Sequence, residues 1–394
     1  MFNFSIFKEK NTFLVYLITA VLLLKDCFPN VFPTFIQAII LLGVIWKSNK
    51  HTSIKPIIWY GTFLFYCSFE LLLNDNFEIL ITLINTLLYI VAYNFACQRQ
   101  EDIYHFFKSV AFFGLIVFTF IFFKYYNILG SGRLGDYMEG TTYSNSIQFS
   151  YYIIIILCSC ISILIFLKKK DIFVYIALIT MTIGFVIAAF NGAKKGILTP
   201  LFFIIIYIIF RYKRNTIKLF TYIICFFVIV YFFWDTIKDI EILEHYFTER
   251  FSGLIAFFSG NNIAVDASTE ERASYIPIAL NAFLDSPIYG MWGLAHSNIF
   301  FKSLIYVNHP HNLYLELLAA GGLILFILYF YFPFMLVFKY GKHLYSSNLH
   351  VLLFCFVLTV LFNDINSSSY NIPIQNIIFV IAYKHYFLFQ KTTT

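Results

Sequence analysis

His309-Pro310-His311-Asn312-Leu313-Tyr314-Leu315-Glu316, followed by Gly321-Gly322, closes the longest polar segment of the chain and opens an apolar run. Two imidazoles and a carboxamide therefore stand where a loop enters a hydrophobic stretch. Histidine is the side chain best suited to transferring protons or donating hydrogen bonds near neutral pH. A simpler interpretation is that these polar residues only cap a helix at an interface, and the rest of the chain bears on the choice between the two.

The composition indicates a protein that lies mostly within a lipid bilayer. Of the 394 residues, 60% are hydrophobic and only 12% are charged, and the mean hydropathy is +0.78. Soluble proteins are about a quarter charged. Apolar runs of roughly 17–25 residues cross a bilayer as helices, because a lone strand would leave its backbone groups unpaired. The sequence therefore predicts an all-α polytopic membrane protein.

Apolar runs place about twelve transmembrane helices along the chain. They divide it into nine helices over residues 1–235, a large loop over 236–312 that contains short helices, and three helices over 313–394. We treat the whole as one integral membrane domain. The predicted spans are 12–29, 31–46, 56–74, 77–97, 106–126, 147–167, 172–190, 196–210, 217–235, 313–338, 349–363 and 371–389.

The distribution of basic residues predicts the orientation. If the N-terminus is cytoplasmic and the spans alternate, two thirds of the 27 Lys and Arg residues fall on the cytoplasmic side. Cytoplasmic loops of membrane proteins carry this excess of positive charge. We therefore expect both termini to be cytoplasmic and the large loop to face the periplasm.

The outward segments nevertheless contain several cations, against the orientation rule. Pairing with nearby acids such as Asp136, Glu249 and Glu271 is the simpler explanation for any one of them. For the set together, next to the histidines, we favour a site for an anion. The cations lie in the segments 127–146, 191–196 and 236–311: Arg133, Lys194, Lys195, Arg250 and Arg272.

The large loop has the pattern of two helices rather than of a linker. Residues 241–258 mix charged residues with apolar residues that recur at helical spacing, which predicts an amphipathic helix on the membrane surface. Ser268 and Glu271 have the spacing of a capping box for a second helix at roughly 269–284. Arg272 would lie in the first turn of that helix, where its guanidinium and the free backbone amides favour a phosphate.

Several function classes lack their usual signals. The net charge of +6 is spread over short loops between apolar runs, which is typical of membrane orientation rather than nucleic-acid binding. The seven cysteines include no CxxC pair, so neither a metal site nor a disulfide framework is predicted. Walker, HExxH, GxSxG and DxD motifs are absent, Asn363-Asp364-Ile365-Asn366 being the nearest to the last. We expect no metal and no cofactor.

Four motifs in chain order resemble the O-antigen ligase and polymerase superfamily of bacterial envelopes. The resemblance covers roughly residues 110–340. The motifs are Arg133-Leu134-Gly135, then Gly192-Ala193-Lys194-Lys195-Gly196, then Arg272 followed by Ala282-Phe283-Leu284-Asp285-Ser286-Pro287-Ile288-Tyr289-Gly290, and last the His309-Pro310-His311-Asn312 stretch with Gly321-Gly322.

The resemblance implies a GT-C-like membrane glycosyltransferase that takes a glycan from undecaprenyl diphosphate at the periplasmic face of the inner membrane. Ligases of this superfamily transfer the glycan to a sugar hydroxyl of lipid A–core, and polymerases transfer it to a second lipid-linked repeat unit. These two lipid-linked substrates and membrane lipids are therefore the expected partners, and nucleic acid is not. The enzyme would need neither metal nor nucleotide.

The resemblance also assigns roles to residues. His311 and Arg272 would be catalytic, with His309 and Asn312 in support. The resemblance maps family arginines onto Arg133, Lys194 and Arg272, and we expect the donor diphosphate to be bound by Arg133 and Lys194 together with the outward cations Lys195 and Arg250. Where the superfamily usually has Ser-Arg, this chain has Ala193-Lys194, which keeps the charge but loses the bidentate guanidinium. Either Lys194 or Lys195 can be the equivalent, and the sequence leaves open which histidine is the base.

Ligase is the leading interpretation, and polymerase is the alternative. A transporter or flippase for a lipid-linked sugar is less favoured, because such a protein needs cations along its spans rather than in outward loops. A purely structural scaffold is a further class, for which the loss of the outward charges would have no effect.

Overall fold

The structure is a computed structural model. It describes residues 9–25, 27–28, 31–48, 52–73, 77–128, 146–167, 171–191, 195–213, 267–291, 312–344, 347–366 and 369–393, with a few positions between 215 and 228. Within these ranges every regular element is a helix. Two short 3₁₀ helices, Tyr126–Ile128 and Asp364–Asn366, each directly follow an α-helix. In chain order the helices are α1 (Lys10–Leu24), α2 (Thr34–Lys47), α3 (Lys55–Leu73), α4 (Phe77–Ala96), α5 (Gln100–Tyr125), α6 (Ser146–Phe166), α7 (Ile172–Phe190), α8 (Lys195–Tyr212), α9 (Ala267–Asp285), α10 (Leu313–Lys342), α11 (Asn348–Asn363) and α12 (Pro373–Thr393).

The prediction of an all-α polytopic membrane protein is confirmed. By length and composition, α4, α5, α6, α7, α8 and α10 can each cross a membrane, and α1, α2 and α11 are shorter apolar helices. Eleven of the twelve predicted spans coincide with one of these helices or with α3 or α12. The other, 217–235, is helical at 217–222, and most of it lies outside the described residues. The total of twelve stays a prediction.

The second helix of the large loop is present, with a different start. It runs over Ala267–Asp285. Arg272 therefore lies in its second turn, whereas the sequence predicted the first turn. The earlier start also puts Ser268 inside the helix instead of at its cap. The predicted amphipathic helix at 241–258 lies outside the described residues.

The chain divides into two compact units. The first consists of Met1–Ser109, Arg272–Lys342 and Val360–Thr394, and the second of Val110–Glu271 and His343–Thr359. In the first unit α4 packs against α1, α2, α3 and α12, and α3 packs against α10. The indole of Trp59 on α3 stacks on Phe332 of α10 at 4.6 Å between ring centroids, and its N–H donates to the carbonyl of Tyr329 at 2.8 Å.

Polar side chains inside the first unit bond to one another, as lipid requires. Thr19 shares hydrogen bonds with the hydroxyls of Tyr93 at 2.7 Å and Ser109 at 2.8 Å. The buried ammonium of Lys384 on α12 donates to the Thr52 hydroxyl at 2.9 Å. These contacts tie α1, α4 and α5 together and attach α12 to the segment before α3.

An ion-pair cluster surrounds the turn between α4 and α5. Arg99 pairs with Glu9 and, at 3.2 Å, with Asp102. The Asp102 carboxylate also accepts the backbone N–H groups of Gln98 and Arg99 at 2.9 and 2.8 Å. The hydrogen bond from Arg99 holds the pKa of the exposed Glu9 carboxyl below its usual range. Arg99 thus has a structural reason to lie at this end of the unit, besides the orientation rule.

In the second unit α6 packs against α7 and α8. Close approach depends on small residues, because a Cβ added at Gly184 of α7 would lie 2.6 Å from the Phe118 ring and 2.8 Å from Leu157 of α6. Further along, Phe203 of α8 packs edge-on against Phe356 of α11, with ring centroids 4.8 Å apart.

Candidate functional site

The structure describes the side chains of only two predicted site residues, Asn312 and Lys195, and they belong to different units. Arg272 is placed as a helical residue of α9, without a described side chain. The remaining predicted residues lie outside the described part of the chain: Arg133, Lys194, Arg250, His309 and His311. Their assembly into one site therefore stays a prediction.

Asn312 caps the N-terminus of α10. Its side-chain oxygen accepts the backbone N–H of Leu315 at 3.1 Å, and its carbonyl accepts the N–H of Glu316 at 2.9 Å. The first bond satisfies one of the donors that every helix leaves free at its start. Asn312 therefore performs the capping role that the sequence offered as one alternative, and the cap fixes the backbone directly after His311.

Loss of this cap should be measurable. We expect Asn312→Ala to reduce stability by about 0.5–2 kcal/mol, because Leu315 loses its acceptor. Asn312→Asp keeps an acceptor oxygen at the same place and should stay close to the parent protein. Thermal unfolding of the purified variants in detergent checks this, and an unchanged midpoint for Asn312→Ala would contradict the capping role.

The first turn of α10 is also held against the end of α11. The Tyr314 hydroxyl donates to the carbonyl of Leu361 at 2.8 Å. Its ring stacks on Phe330 with a centroid distance of 4.4 Å and an interplanar angle of 3°. Both contacts lie within the first unit, so they attach the start of α10 to the end of α11 and to the second segment of the same helix.

Two buried carboxylates lie near this turn, and neither belongs to the predicted set of site residues. Glu316 is 4% exposed in the first turn of α10, and Asp364 is fully buried after α11. Asp364 accepts a hydrogen bond from the hydroxyl of Ser369. The signal that marks them in the sequence is an acid within or directly beside an apolar run, which is rarely tolerated without a purpose.

α10 is interrupted where the sequence has its paired glycines. Gly322 has φ 61° and ψ −158°, a backbone conformation that is essentially restricted to glycine. We call residues 313–321 the first segment of α10 and residues 323–342 its second segment. The second segment alone is about 30 Å long, which matches the hydrocarbon thickness of a bilayer. The first segment therefore need not contribute to the span.

α9 packs on the first segment of α10. Tyr275, Ala279 and Ala282 of α9 form one buried cluster with Ala319 of α10. Leu315, one turn nearer the start of α10, packs against the same cluster. The C-terminal end of α9 leads into residues 287–291, which bond to Ala319, Leu323 and Ile324. α9 therefore contacts the first segment of α10, and Arg272 lies near the start of α9.

Lys195, in the second unit, starts α8 and faces α6. Its ammonium lies 3.8 Å from the centroid of the Tyr151 ring, within the range of a cation–π contact. Next to it, the buried Asn191 side chain donates to the Ser150 hydroxyl at 3.0 Å. Lys195 thus has a role in packing α8 on α6, whatever it contributes to an anion site.

A double-mutant cycle tests that role. We expect Lys195→Met and Tyr151→Leu each to reduce stability, with a coupling energy of about 0.5–2 kcal/mol, because either change removes the same cation–π contact. Lys195→Arg, which keeps a cation over the ring, is the matched control. Strictly additive effects on thermal unfolding would show that the contact contributes nothing.

Among the described residues, no group of three or more His, Cys, Asp and Glu side chains is arranged to hold a metal ion. What the described part offers instead is a capped helix start beside a helix that carries an arginine. Free N–H groups and cations of this kind favour an anion such as a phosphate.

These helices define a polytopic, all-α membrane protein. Its apolar helix α10 is capped by Asn312 at the start and interrupted at Gly322. Residues 179–330 match the family described as O-antigen ligase. The matched range covers less than half of the chain, and it contains every predicted site residue except Arg133. The resemblance to the O-antigen ligase and polymerase superfamily is thereby confirmed over this range. No curated protein matches the chain.

The match supports an activity of the ligase or polymerase type, in a family of membrane proteins that resemble glycosyltransferases. It also implies a lipid-linked glycan as substrate and the bacterial envelope as the setting.

Proposed function

We propose that the protein is an O-antigen ligase-type glycosyltransferase of the bacterial inner membrane. It transfers a polysaccharide from undecaprenyl diphosphate to a sugar hydroxyl of lipid A–core at the periplasmic face, with both termini in the cytoplasm. The observation that carries the proposal is the family match, which spans Lys194, Arg272 and the capped start of α10. The packing of α9 on the first segment of α10 supports it, because α9 carries Arg272 and α10 begins directly after Asn312.

In this reaction an acceptor hydroxyl oxygen attacks the anomeric carbon of the donor sugar. The new glycosidic bond forms as the bond from that carbon to the diphosphate oxygen breaks, and undecaprenyl diphosphate leaves with the bonding electrons. His311 takes the hydroxyl proton, and the attack inverts the anomeric configuration. Cations at Arg133, Arg250, Arg272 and Lys194 stabilise the charge that develops on the leaving diphosphate. His309 supports His311, and no step requires a metal or a nucleotide.

Of the two adjacent lysines, we assign the diphosphate contact to Lys194. The ammonium of Lys195 already lies over the Tyr151 ring, where it adds to the local positive potential while it holds α8 on α6. Lys194→Ala should therefore raise the donor KM without changing stability, whereas Lys195→Met should act mainly on stability.

Glycan analysis of a deletion strain tests the function, with the lipid-linked intermediates extracted in parallel. A ligase predicts that long lipid-linked polymer accumulates while the core loses its polymer. Core that carries a single repeat unit, without long lipid-linked chains, would instead identify a polymerase, the alternative within the same superfamily. Lipid-linked units trapped on the cytoplasmic side would identify a flippase, and an unchanged glycan profile would contradict an enzymatic role.

A further inference from the structure

The break in α10 is filled by the backbone of the turn that follows α9. The N–H groups of Leu323 and Ile324 donate to the carbonyls of Pro287 and Ile288 at 2.9 and 3.3 Å. In the opposite direction, the N–H of Met291 donates to the carbonyl of Ala319 at 2.9 Å. Three backbone groups that a continuous helix would pair internally are thus paired with residues 287–291.

Contact between the two backbones is so close that only glycine fits on either side. Gly290 has φ 67°, and a Cβ there would lie 2.4 Å from the carbonyl carbon and oxygen of Ala320. A Cβ at Gly322 would lie 2.4 Å from the carbonyl oxygen of Ile288. Both clashes are with backbone atoms, which cannot rotate away as a flexible side chain would.

Each partner of this contact depends on the other. If residues 287–291 moved away, the broken helix would leave two N–H groups and a carbonyl without these partners, and an unpaired backbone group is costly when it is buried, more so in lipid. If α10 were a continuous helix, its backbone groups would pair internally, and residues 287–291 would lose their hydrogen bonds to it. α9 is therefore attached to α10 by backbone bonds at one end and by the Tyr275–Ala279–Ala282 cluster along its length.

We propose that residues 286–291 and the break at Gly322 form a backbone clamp that positions the catalytic residues. The clamp makes α9, which carries Arg272, a fixed part of the first unit rather than a lid, and it fixes α9 against the first segment of α10. Gly290 and Gly322 are then positioning residues. The proposal rests on the proposed function for its catalytic consequence, but the clamp itself is testable without it.

A disulfide tests whether α9 is fixed. Ala282→Cys and Ala319→Cys, introduced together with Cys225→Ser to remove an exposed thiol, should form a bond on oxidation, because both alanines lie in one buried cluster. Maleimide–polyethylene glycol labelling of the denatured protein counts the remaining thiols. We expect the bond to form and transfer to stay within twofold of the reduced protein. Failure to form, or loss of transfer on oxidation and recovery on reduction, would overturn the proposal.

Glycine substitutions test the positioning role. Gly290→Ala should lower kcat by about 100-fold, because a misplacement of about 1 Å has that effect on reacting groups, while the KM for the lipid-linked donor changes little. Gly43→Ala, Gly61→Ala and Gly341→Ala are matched controls, since each added Cβ would meet open space. In Gly290→Ala the amides of Met291, Leu323 and Ile324 should exchange hydrogen faster than in the parent protein. An unchanged kcat or unchanged exchange would overturn the proposal.

The experiments distinguish a failure of the proposed function from a failure of the backbone clamp. If the parent protein transfers no glycan, the proposed function fails, while amide exchange and the disulfide still decide whether the clamp exists. If Gly290→Ala does not accumulate in membranes, the disulfide experiment, which leaves both glycines in place, decides alone.

Discussion

His311→Ala will lower kcat for glycan transfer by about 10²–10⁴-fold, the range for loss of a general base. In the proposed mechanism the acceptor hydroxyl then loses the base that takes its proton as the new glycosidic bond forms. The donor KM should change little, because a general base acts in the transition state. In cells the result should be long lipid-linked polymer that stays unattached to lipid A–core.

Two further variants make this result specific. His309→Ala separates the roles of the two imidazoles, and we expect it to cost less than 10-fold if His309 only supports its neighbour. His343→Ala, at an exposed position after α10, is the control for histidine loss as such. If His311→Ala left full-length glycan attached to the core, the catalytic assignment would be wrong.

Arg272→Ala will be the second large effect, with kcat lower by about 10²–10³-fold, as expected when a donor to a developing negative charge is removed. In the proposed mechanism the guanidinium stabilises the diphosphate as it leaves, and α9 is the element that carries Arg272. Arg272→Lys should recover part of the rate, because it restores the charge but not the bidentate geometry.

Asp285→Asn is the matched control for Arg272, because it alters the charge at the exposed opposite end of the same helix. Rates are measured on purified protein in vesicles with an undecaprenyl-diphosphate-linked glycan. A rate for Arg272→Ala equal to that of Asp285→Asn would exclude a role for Arg272 in the reaction.

The helices could be predicted from the sequence because lipid gives the chain few choices. Apolar runs must satisfy their own backbone bonds, so the runs at 77–97, 172–190 and 349–363 coincide almost residue for residue with α4, α7 and α11. The loop helix was also predicted, at roughly 269–284, because the spacing of Ser268 and Glu271 is a local signal. Its start was misplaced by two residues, since helix starts are weakly specified by sequence.

The break in α10 could not be predicted. The run 313–338 has the composition of one continuous helix, and Gly321-Gly322 is compatible with either form. The break is determined by a long-range contact. Residues 287–291, more than 30 positions earlier in the chain, provide the carbonyls that accept the N–H groups of Leu323 and Ile324. The contact between Lys195 and Tyr151 was missed for the same reason, because it joins residues that no periodicity relates.

For Asn312 the sequence offered two roles, and the hydrogen bond to Leu315 shows the capping role. The site as a whole stays a prediction, because Arg133, Lys194, Arg250, His309 and His311 lie outside the described residues. The structure adds the burial of Glu316 and Asp364. Their positions within or directly beside an apolar run were the available sequence signal, but the packing around them could not be read from it.

The most direct measurement is transfer by the purified protein in vesicles that contain an undecaprenyl-diphosphate-linked glycan, with and without lipid A–core, in the presence of a metal chelator and without nucleotide. We predict that glycan becomes attached to lipid A–core and that undecaprenyl diphosphate is released in equal amount. Lengthening of lipid-linked chains without core would identify a polymerase and correct the acceptor. No transfer in either vesicle, with His311→Ala indistinguishable from the parent protein, would contradict the account.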